Sequence, residues 1–287
     1  MILDKNILPL IERATKALEE ISNSKTKNKL VITKANGYLW DAENFHLIPI
    51  NNINAVNLSL LKGIDHTKKI LLDNTMQFSE GYSANNVLLW GARGMGKSSI
   101  IKSVHKEICK NTLNKRLILI EIYRDDINSL PKLITELQQL KHQFIIFCND
   151  LSFDNNETTY KSLKTILDGG IMEKSKNILF YATSNRRHLM PRSMIENESS
   201  TSISPSESAE EKISLSDRFG LWLGFYQCSQ DNYLEIVKSY ADEFKFEINV
   251  NELNKLAIEW SVTRGSRSGR VAWQFIQDLA GKLKVKI

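Results

Sequence analysis

The chain has few of the features that indicate crosslinks, metal clusters or membranes. It contains three cysteines with no C-x-x-C spacing, which argues against a zinc site. No apolar run is long enough to span a bilayer. Asp4 and Lys5 place charge where a signal peptide needs an apolar run. An odd number of cysteines also suits a reducing compartment, so we expect a cytoplasmic protein that does not associate with membranes.

The chain also lacks a strong excess of one charge. Lys and Arg number 38 against 33 Asp and Glu, which gives a net charge of +5 at pH 7. This balance is weak evidence for a nucleic-acid or phosphate-rich partner, and a lysine-rich solvated surface explains it more simply. The 42% hydrophobic content is enough for a real core, and 287 residues allow one large domain or two modest ones.

The most informative motif is the segment from Gly91 to Ser98, GARGMGKS, which has the pattern G-x-x-x-x-G-K-[ST]. Its glycines let backbone N–H groups close around a phosphate without interference from a Cβ atom. Lys97 can reach the β- and γ-phosphates, and the Ser98 hydroxyl can ligate Mg²⁺. An apolar run at 87–90 precedes the motif and helical spacing at 98–109 follows it, so the phosphates would lie at a helix N-terminus.

Apolar runs and helical stripes alternate through the middle of the chain. Runs at 87–90, 117–122, 144–148, 178–182 and 221–225 predict five strands, and the stripes between them predict helices. Continuous apolar strands separated by helices are typical of a parallel sheet covered on both faces. The sequence therefore predicts an α/β fold.

Three further regions flank or interrupt this pattern. Residues 1–57 are predicted to form a mostly helical N-terminal extension, residues 58–227 the nucleotide-binding domain, and residues 228–287 a small helical domain. Ser229 is a candidate N-cap of its first helix. The segment at about 191–213 is rich in Ser and Glu and nearly free of large apolar residues, so we expect a mobile loop there.

The third strand ends in Asn149 and Asp150. A phosphate-loop ATPase needs carboxylates at such a strand end, one for the shell of the Mg²⁺ ion and one to polarise the attacking water. In register, neutral Asn149 stands where the magnesium Asp is expected, and Asp150 stands where a catalytic Glu is expected. Alternatively, Asp150 serves the metal itself and the base is unassigned.

Other polar residues stand where they could act on phosphate. Asn185 ends the fourth strand, where it could orient water or contact the γ-phosphate. Arg218 precedes the fifth strand, and Arg267 and Arg270 begin the last helix. An arginine from a neighbouring subunit or from the helical domain can neutralise charge on a transferring phosphate. Taken singly, each of these arginines is more often a surface residue.

The order of these motifs resembles that of the AAA+ ATPases. The resemblance covers about residue 58 to the C-terminus and is closest to the bacterial ATP-binding proteins of domain-of-unknown-function family 815. It is carried by the strings LWGARG, GKSS, DLSF, YATSNRRHL and SDRFG, which begin at residues 89, 96, 150, 181 and 216. The family usually has Asp-Asp before Leu-Ser-Phe, so Asn149 is a departure that bears on hydrolysis more than on binding.

The resemblance implies a P-loop fold with a parallel five-stranded sheet in the order 5-1-4-3-2 and a C-terminal helical lid. It implies Asn185 as the first sensor, Arg218 as a finger acting on a neighbouring subunit, and Arg270 as the second sensor with Arg267 as its competitor. The expected catalytic residues are Asp150, Asn185, Arg218 and Arg270. Ser98 and Asp150 are the expected ligands of Mg²⁺. The residues expected to bind ATP are Gly63, Ile64, Gly91, Ala92, Arg93, Gly94, Met95, Gly96, Lys97, Ser98 and Ser99.

These expectations support three hypotheses. The first is an oligomeric ATPase that binds Mg²⁺ and ATP or ADP and remodels an unknown macromolecular partner. The second is a slow or non-hydrolysing ATP-dependent switch or scaffold, which Asn149 suggests. The third is a DNA-associated AAA+ ATPase, supported by the positive charge and by Arg186 and Arg187. No helix-turn-helix and no interleaving of aromatic and basic residues is evident. A small-molecule kinase would need an acceptor pocket that no sequence feature identifies.

Overall fold

The computed structural model describes residues 30–111, 116–153, 159–168, 175–189 and 215–287, together with Arg13, Thr15 and Lys16. The segment at 191–213 and the N-terminal helical stripe at 7–18, apart from these three residues, lie outside the described residues. None of the helices in the described ranges is long and apolar enough to cross a membrane.

The described chain is built around one mixed sheet of seven strands. The strands are β1 Gly37–Asp41, β2 His46–Ile50, β3 Val87–Gly91, β4 Leu117–Ile122, β5 Gln143–Cys148, β6 Ile178–Ser184 and β7 Leu221–Phe225. Their order in the sheet is β2-β1-β4-β5-β6-β3-β7. Every neighbouring pair is parallel except β1 and β2, which are antiparallel. The five strands predicted from the sequence are confirmed as β3 to β7.

The prediction of five strands and of a mostly helical N-terminal region was wrong for residues 37–50. These residues form a β-hairpin that extends the sheet, with Gly37 in register with Leu119 of β4. Tyr38 and Trp40 are each 1% exposed, and the Trp40 indole N–H donates to the Ser129 hydroxyl at 2.7 Å. A strand as short as β1 has only a weak signal in the sequence, because the burial of its aromatic side chains depends on β4 and on the residues beside it.

Helices cover both faces of the sheet, as predicted. On one face α1 (Asp65–Ser79) and α2 (Lys97–Asn111) pack on the sheet through a fully buried apolar cluster. On the other face α3 (Leu130–Gln138) and α4 (Thr159–Asp168) pack through a second cluster. Pro131 occupies the first turn of α3, where its missing N–H leaves no helical bond unmade.

The C-terminal residues form three helices with their own apolar core: α5 (Gln230–Glu243), α6 (Val250–Thr263) and α7 (Gly269–Leu283). Ser229 is confirmed as the N-cap of α5, because its side chain accepts from the Asn232 N–H. Leu60 packs in this helical core while Leu61 packs in the cluster under α1 and α2. The short segment at 58–61 therefore lies between the two parts of the chain, which places it beside the cavity described next.

Candidate nucleotide-binding site

The loop from Gly91 to Lys97 joins the end of β3 to the start of α2. Gly91, Gly94 and Gly96 have φ values of +123°, +74° and +88°, which favour glycine. A Cβ atom on Gly91 would collide with the Phe225 carbonyl of β7. The Ala92 N–H donates to that same carbonyl at 2.8 Å. The glycines thus allow the loop to turn tightly over the end of the sheet.

The Lys97 side chain is hydrogen-bonded to carbonyls of the phosphate loop, at the end of which it lies. Its ammonium group donates to the Gly91 and Ala92 carbonyls at 2.8 Å each, and to the Asn185 side-chain oxygen at 3.0 Å. The residue is 8% exposed. Burial lowers the pKa of the ammonium, Arg270 and Arg93 lower this pKa further, and Asp150 opposes them. The cation is thus held at the floor of the loop by neutral oxygens.

Asn149, rather than Asp150, contacts Ser98 in the structure. The Asn149 side-chain oxygen accepts from the Ser98 hydroxyl at 2.5 Å and from the Thr183 hydroxyl at 2.8 Å. Thr183 was not predicted from the sequence. It lies on β6 two residues before Asn185, and that spacing places both side chains on the same face of the strand.

Asp150 is held beside Asn149 by a different set of contacts. Its backbone has φ +55°, a conformation that Asp and Asn adopt more readily than most residues. Its N–H donates to the Thr183 hydroxyl at 3.0 Å, and its carboxylate accepts from the Asn185 amide at 2.5 Å. Asn185 therefore links the Lys97 ammonium to the Asp150 carboxylate, which supports the sequence-based pairing of these residues at two strand ends.

The start of α7 is hydrogen-bonded to the phosphate loop. The Arg270 backbone N–H donates to the Gly94 carbonyl at 3.1 Å. Ser268 caps the helix by accepting from the Val271 N–H at 3.2 Å. Arg270 lines the cavity above the loop, whereas Arg267, its competitor for the second-sensor role, is not among the described residues that line it.

A cavity of about 740 Å³ separates the loop from the helical domain. Its lining includes the polar or charged side chains of Lys97, Asn149, Asp150, Asn185 and Arg270. It also includes apolar and aromatic side chains from both parts of the chain, namely Leu60, Leu61, Ile64, Ile236, Tyr240 and Trp273. A site lined by both kinds of side chain fits a nucleotide, because phosphates need hydrogen-bond donors and a base needs apolar surface.

The aromatic residues that line the cavity were not predicted. The Tyr240 and Trp273 rings lie 5.2 Å apart between centroids, at 53°. Trp273 follows Arg270 by three residues on α7, so both side chains share one face of the helix. The spacing of Arg270 and Trp273 in the sequence could therefore have indicated that Trp273 lies at the site. Ile64 lines the cavity as expected, but Gly63 lies against Asn232 of α5 and is not among the described lining residues.

Arg218 lies apart from this cavity. Its guanidinium forms an ion pair with Asp168 at the C-terminal end of α4, with Nε and Oδ1 2.5 Å apart. It is not among the described residues that line the cavity. The predicted loop residues Arg93, Met95 and Ser99 do line it. Gly91 and Ala92 are not among the described lining residues, but their carbonyls accept from Lys97. The structure thus brings together the predicted site residues except Gly63 and Arg218, with Gly91 and Ala92 behind the cavity lining.

The oxygen atoms around Ser98 suit a magnesium ion that is bound partly by phosphate and water, rather than a metal bound by protein ligands alone. Within the described ranges, no group of three or more His, Cys, Asp or Glu side chains could hold a metal. Mg²⁺ usually binds one or two protein oxygens and completes its shell with phosphate and water. Ser98, Asn149 and Asp150 offer hydroxyl, amide and carboxylate oxygens beside the loop, so a metal brought with a nucleotide is compatible with the site.

Comparisons with known proteins show which family the chain belongs to and which folds it resembles. No curated protein sequence matches the chain. The T158V variant of Thermotoga maritima RuvB is similar in fold at 17% identity and a TM-score of 0.51, covering 78% of this chain and 64% of that one. The Aeropyrum pernix ORC1 protein, solved in complex with DNA, has 14% identity and a TM-score of 0.52, covering 80% and 66%.

The chain thus spans about two thirds of the length of each of these proteins, and the likeness concerns the fold. A family model with the description "Protein of unknown function (DUF815)" matches residues 33–283. This match begins upstream of residue 58, where the sequence resemblance was expected to start, and takes in the β1–β2 hairpin. The chain therefore belongs to the DUF815 family, and its fold resembles that of RuvB and ORC1.

Proposed function

We propose that the protein is an oligomeric ATPase that binds Mg²⁺ and ATP between the phosphate loop and the helical lid, and uses hydrolysis to remodel a macromolecular partner. One observation carries the proposal: a single cavity contains the loop, the strand-end residues Asp150 and Asn185, and the lid residue Arg270. The proposal includes the cytoplasmic location expected from the sequence.

The hydrogen bonds of Lys97 support a loop that is ready to accept phosphate. Two of its three acceptors are carbonyls of the loop itself, at Gly91 and Ala92. A bound phosphate would replace these neutral acceptors with charged ones, and charge-assisted hydrogen bonds are about twice as strong. Ser98 would ligate Mg²⁺, which when bound would neutralise phosphate charge. Arg270 would reach the same phosphates from the lid.

Asp150 and Asn185 are the proposed catalytic pair of the strand ends. The Asp150 carboxylate would act either as the base that polarises water or as a metal ligand. The Asn185 amide donates to this carboxylate at 2.5 Å, and both residues line the cavity. Lys97 holds the other end of the same amide at 3.0 Å, and its movement toward phosphate would free Asn185 to orient water.

The position of Arg218 motivates the oligomer. Because it lies outside its own cavity, it could stabilise transferring phosphate only in a neighbouring subunit. The test is the ATPase rate per subunit against protein concentration, for the wild type and for Arg218→Ala. We expect the rate to rise with concentration and to fall in the variant by about a thousandfold or more, as for other arginine fingers.

A matched control for Arg218→Ala is Arg264→Ala. Arg264 is an exposed lid arginine that stacks on Trp260. An ATPase rate per subunit that does not change with protein concentration, and that is the same in Arg218→Ala as in the wild type, would contradict the oligomeric mechanism.

A second candidate function is an ATP-dependent switch or scaffold with little turnover. Asn149 favours it, because a neutral amide occupies the position beside Ser98 at which a carboxylate is expected. In this second candidate function, ATP binding without hydrolysis changes the position of the lid or the state of assembly. Rapid steady-state hydrolysis by the wild type would rule it out. DNA is a further candidate partner; the ORC1 neighbour was solved in complex with it.

A further inference from the structure

Two aromatic rings and two arginines form a surface cluster at the carboxyl ends of β3, β6 and β7. The Arg187 guanidinium carbon lies 5.3 Å from the centroid of the Trp90 ring. The Trp90 and Tyr226 rings meet edge to face, with centroids 6.0 Å apart and planes at 79°. Arg186 is adjacent in sequence. We call Trp90, Arg186, Arg187 and Tyr226 the Trp90 cluster.

The backbone under the cluster leaves room for both rings. Trp90 is in register with Gly224 of β7. A Cβ atom on Gly224 would lie 3.1 Å from the Trp90 ring and 3.3 Å from the Tyr226 hydroxyl. Such contacts are tighter than ordinary van der Waals packing, so a larger residue would displace the rings. The sequence at this strand end is thus compatible with a closely packed pair of aromatic side chains.

The cluster is open to solvent and carries positive charge. Tyr226 is 73% exposed, and Arg186 and Arg187 are both exposed. Among the described residues, neither arginine forms an ion pair with a carboxylate. Packing of Arg187 on Trp90 limits the freedom of its side chain, and a planar guanidinium held this way is well suited to phosphate.

This combination matches the chemistry of single-stranded nucleic acid. Proteins that bind single strands stack bases on exposed aromatic rings and follow the backbone with basic side chains. In a duplex the base faces are covered by neighbouring base pairs, so an exposed tyrosine has no face to stack on. The net charge of +5 also favours a polyanion over a second copy of this equally basic chain.

We propose that the Trp90 cluster is a binding site for single-stranded DNA, with Tyr226 stacking on a base and Arg186 and Arg187 contacting phosphates. The inference rests on the proposed function, because it names the macromolecular partner of that function. Binding of DNA to the Trp90 cluster itself needs no hydrolysis of ATP. It assigns a surface to residues that the nucleotide site does not use.

The cluster is also placed to couple the strand to the nucleotide. Trp90 directly precedes the phosphate loop, and Arg187 follows Asn185 by two residues. Tyr226 follows Phe225, whose carbonyl accepts from the Ala92 N–H of the loop. A strand seated on the cluster would therefore contact three segments that hold the proposed nucleotide, so ATP should change the affinity for DNA.

The test measures binding of a fluorescently labelled oligothymidine to the full chain by anisotropy, at low and rising salt. We expect Tyr226→Ala and Arg187→Ala each to raise the dissociation constant about tenfold, within the range found for loss of a stacked base. Arg187→Ala should also reduce the salt dependence, and Tyr226→Ala should leave it unchanged. Tyr226→Phe should bind like the wild type because it keeps the ring.

The matched control is Arg264→Ala, which removes a second Arg–Trp stack, over Trp260 at 4.9 Å, far along the chain from the cluster. We expect its DNA affinity to stay within about twofold of the wild type, as for a residue with no contact to the strand. Equal melting temperatures of the variants exclude unfolding as the cause of any loss.

Three results would overturn the proposal. They are no binding by the wild type at low salt, equal losses in Arg264→Ala and Arg187→Ala, or unchanged DNA affinity in the cluster variants. If the cluster variants keep DNA affinity but lower the mass of the ATP-bound assembly, the cluster is a contact between subunits instead. ATP hydrolysis measured on the same samples separates failure of this proposal from failure of the proposed ATPase, because DNA binding to the cluster needs no hydrolysis of ATP.

Discussion

The Asn149 side-chain oxygen lies 2.5 Å from the Ser98 hydroxyl, so a neutral amide faces the candidate magnesium ligand. The Thr183 hydroxyl donates to the same oxygen at 2.8 Å and holds it in place. The carboxylate of this strand end, on Asp150, is turned toward Asn185 instead. The site therefore offers a metal ion one neutral oxygen at the position where the sequence pattern led us to expect a carboxylate.

We expect Asn149→Asp to raise magnesium-dependent ATPase activity. A carboxylate would attract Mg²⁺ and its water shell, which a neutral amide does less well, so we expect a rise of roughly fivefold, equivalent to about 1 kcal/mol. Steady-state phosphate release across a magnesium titration measures the effect. Asn149→Ala is the control, since it removes the oxygen without adding charge. Equal rates in the wild type and Asn149→Asp would mean that this position does not limit hydrolysis.

Much of the fold and of the phosphate end of the site could be predicted because their signals are local. The motif from Gly91 to Ser98 implies a strand before it and a helix after it, and β3 and α2 are found there. Asp150 and Asn185 end parallel strands, whose carboxyl ends meet at one edge of the sheet. Their proximity therefore follows from topology.

The parts that could not be predicted depend on contacts between distant segments. The β1–β2 hairpin is too short to be recognised before β4 gives it a neighbour. The Trp90 cluster joins Trp90, Arg187 and Tyr226, which are separated by 97 and 39 positions in the chain. No local spacing indicates such a cluster, and the sequence shows no interleaving of aromatic and basic residues.

We expect Trp273→Ala to weaken ATP binding about tenfold, in the range for loss of aromatic stacking on a base. Trp273 and Tyr240 are the aromatic side chains among the described residues that line the cavity. Inorganic tripolyphosphate has no base, so its affinity should not change. Calorimetric titration of both ligands separates binding of the base from binding of the phosphates, and Trp273→Phe, which keeps a ring, should lose less. An equal loss for both ligands would instead indicate a damaged lid.

His105 should make the protein less stable as the pH falls below neutral. Burial lowers the pKa of this histidine in α2 from 6.5 to about 4, partly offset by its hydrogen bond to the Leu117 carbonyl at 3.1 Å. Between these values the unfolded chain binds the proton and the folded chain does not. Stability present above pH 6.5 is therefore lost as the pH falls toward 4, by an amount on the order of 3 kcal/mol.

Urea unfolding at pH 7.5 and pH 5 would measure this loss, with His105→Gln as the reference. A glutamine amide does not titrate, so the variant should lose less stability than the wild type over the same interval. The comparison cancels the other titrating groups, which both proteins share. A variant with the same pH dependence as the wild type would show that His105 is protonated without unfolding.

Gly94 should be required by the lid as well as by the phosphate. A Cβ atom there would lie 2.8 Å from the Ser268 hydroxyl oxygen and 3.1 Å from the Arg270 Cβ. Ser268 cannot move away freely, because it caps α7 through the Val271 N–H. We expect Gly94→Ala to lower the melting temperature and to weaken ATP binding. Gly265→Ala is the matched control, with φ +64° and no atom within 4 Å of the added Cβ.

Both glycine variants incur the backbone cost of a left-handed residue, about 1–2 kcal/mol, so their difference reports the contact with the lid. A double-mutant cycle with Ser268→Ala isolates the clash with the hydroxyl. Removing that oxygen costs about 1 kcal/mol of capping on its own but relieves part of the strain in Gly94→Ala. The two changes should therefore destabilise less together than their sum, by about 0.5 kcal/mol or more. Strict additivity would show that the Ser268 hydroxyl does not oppose a side chain at Gly94, which would leave the loop and the Arg270 Cβ as the source of the loss.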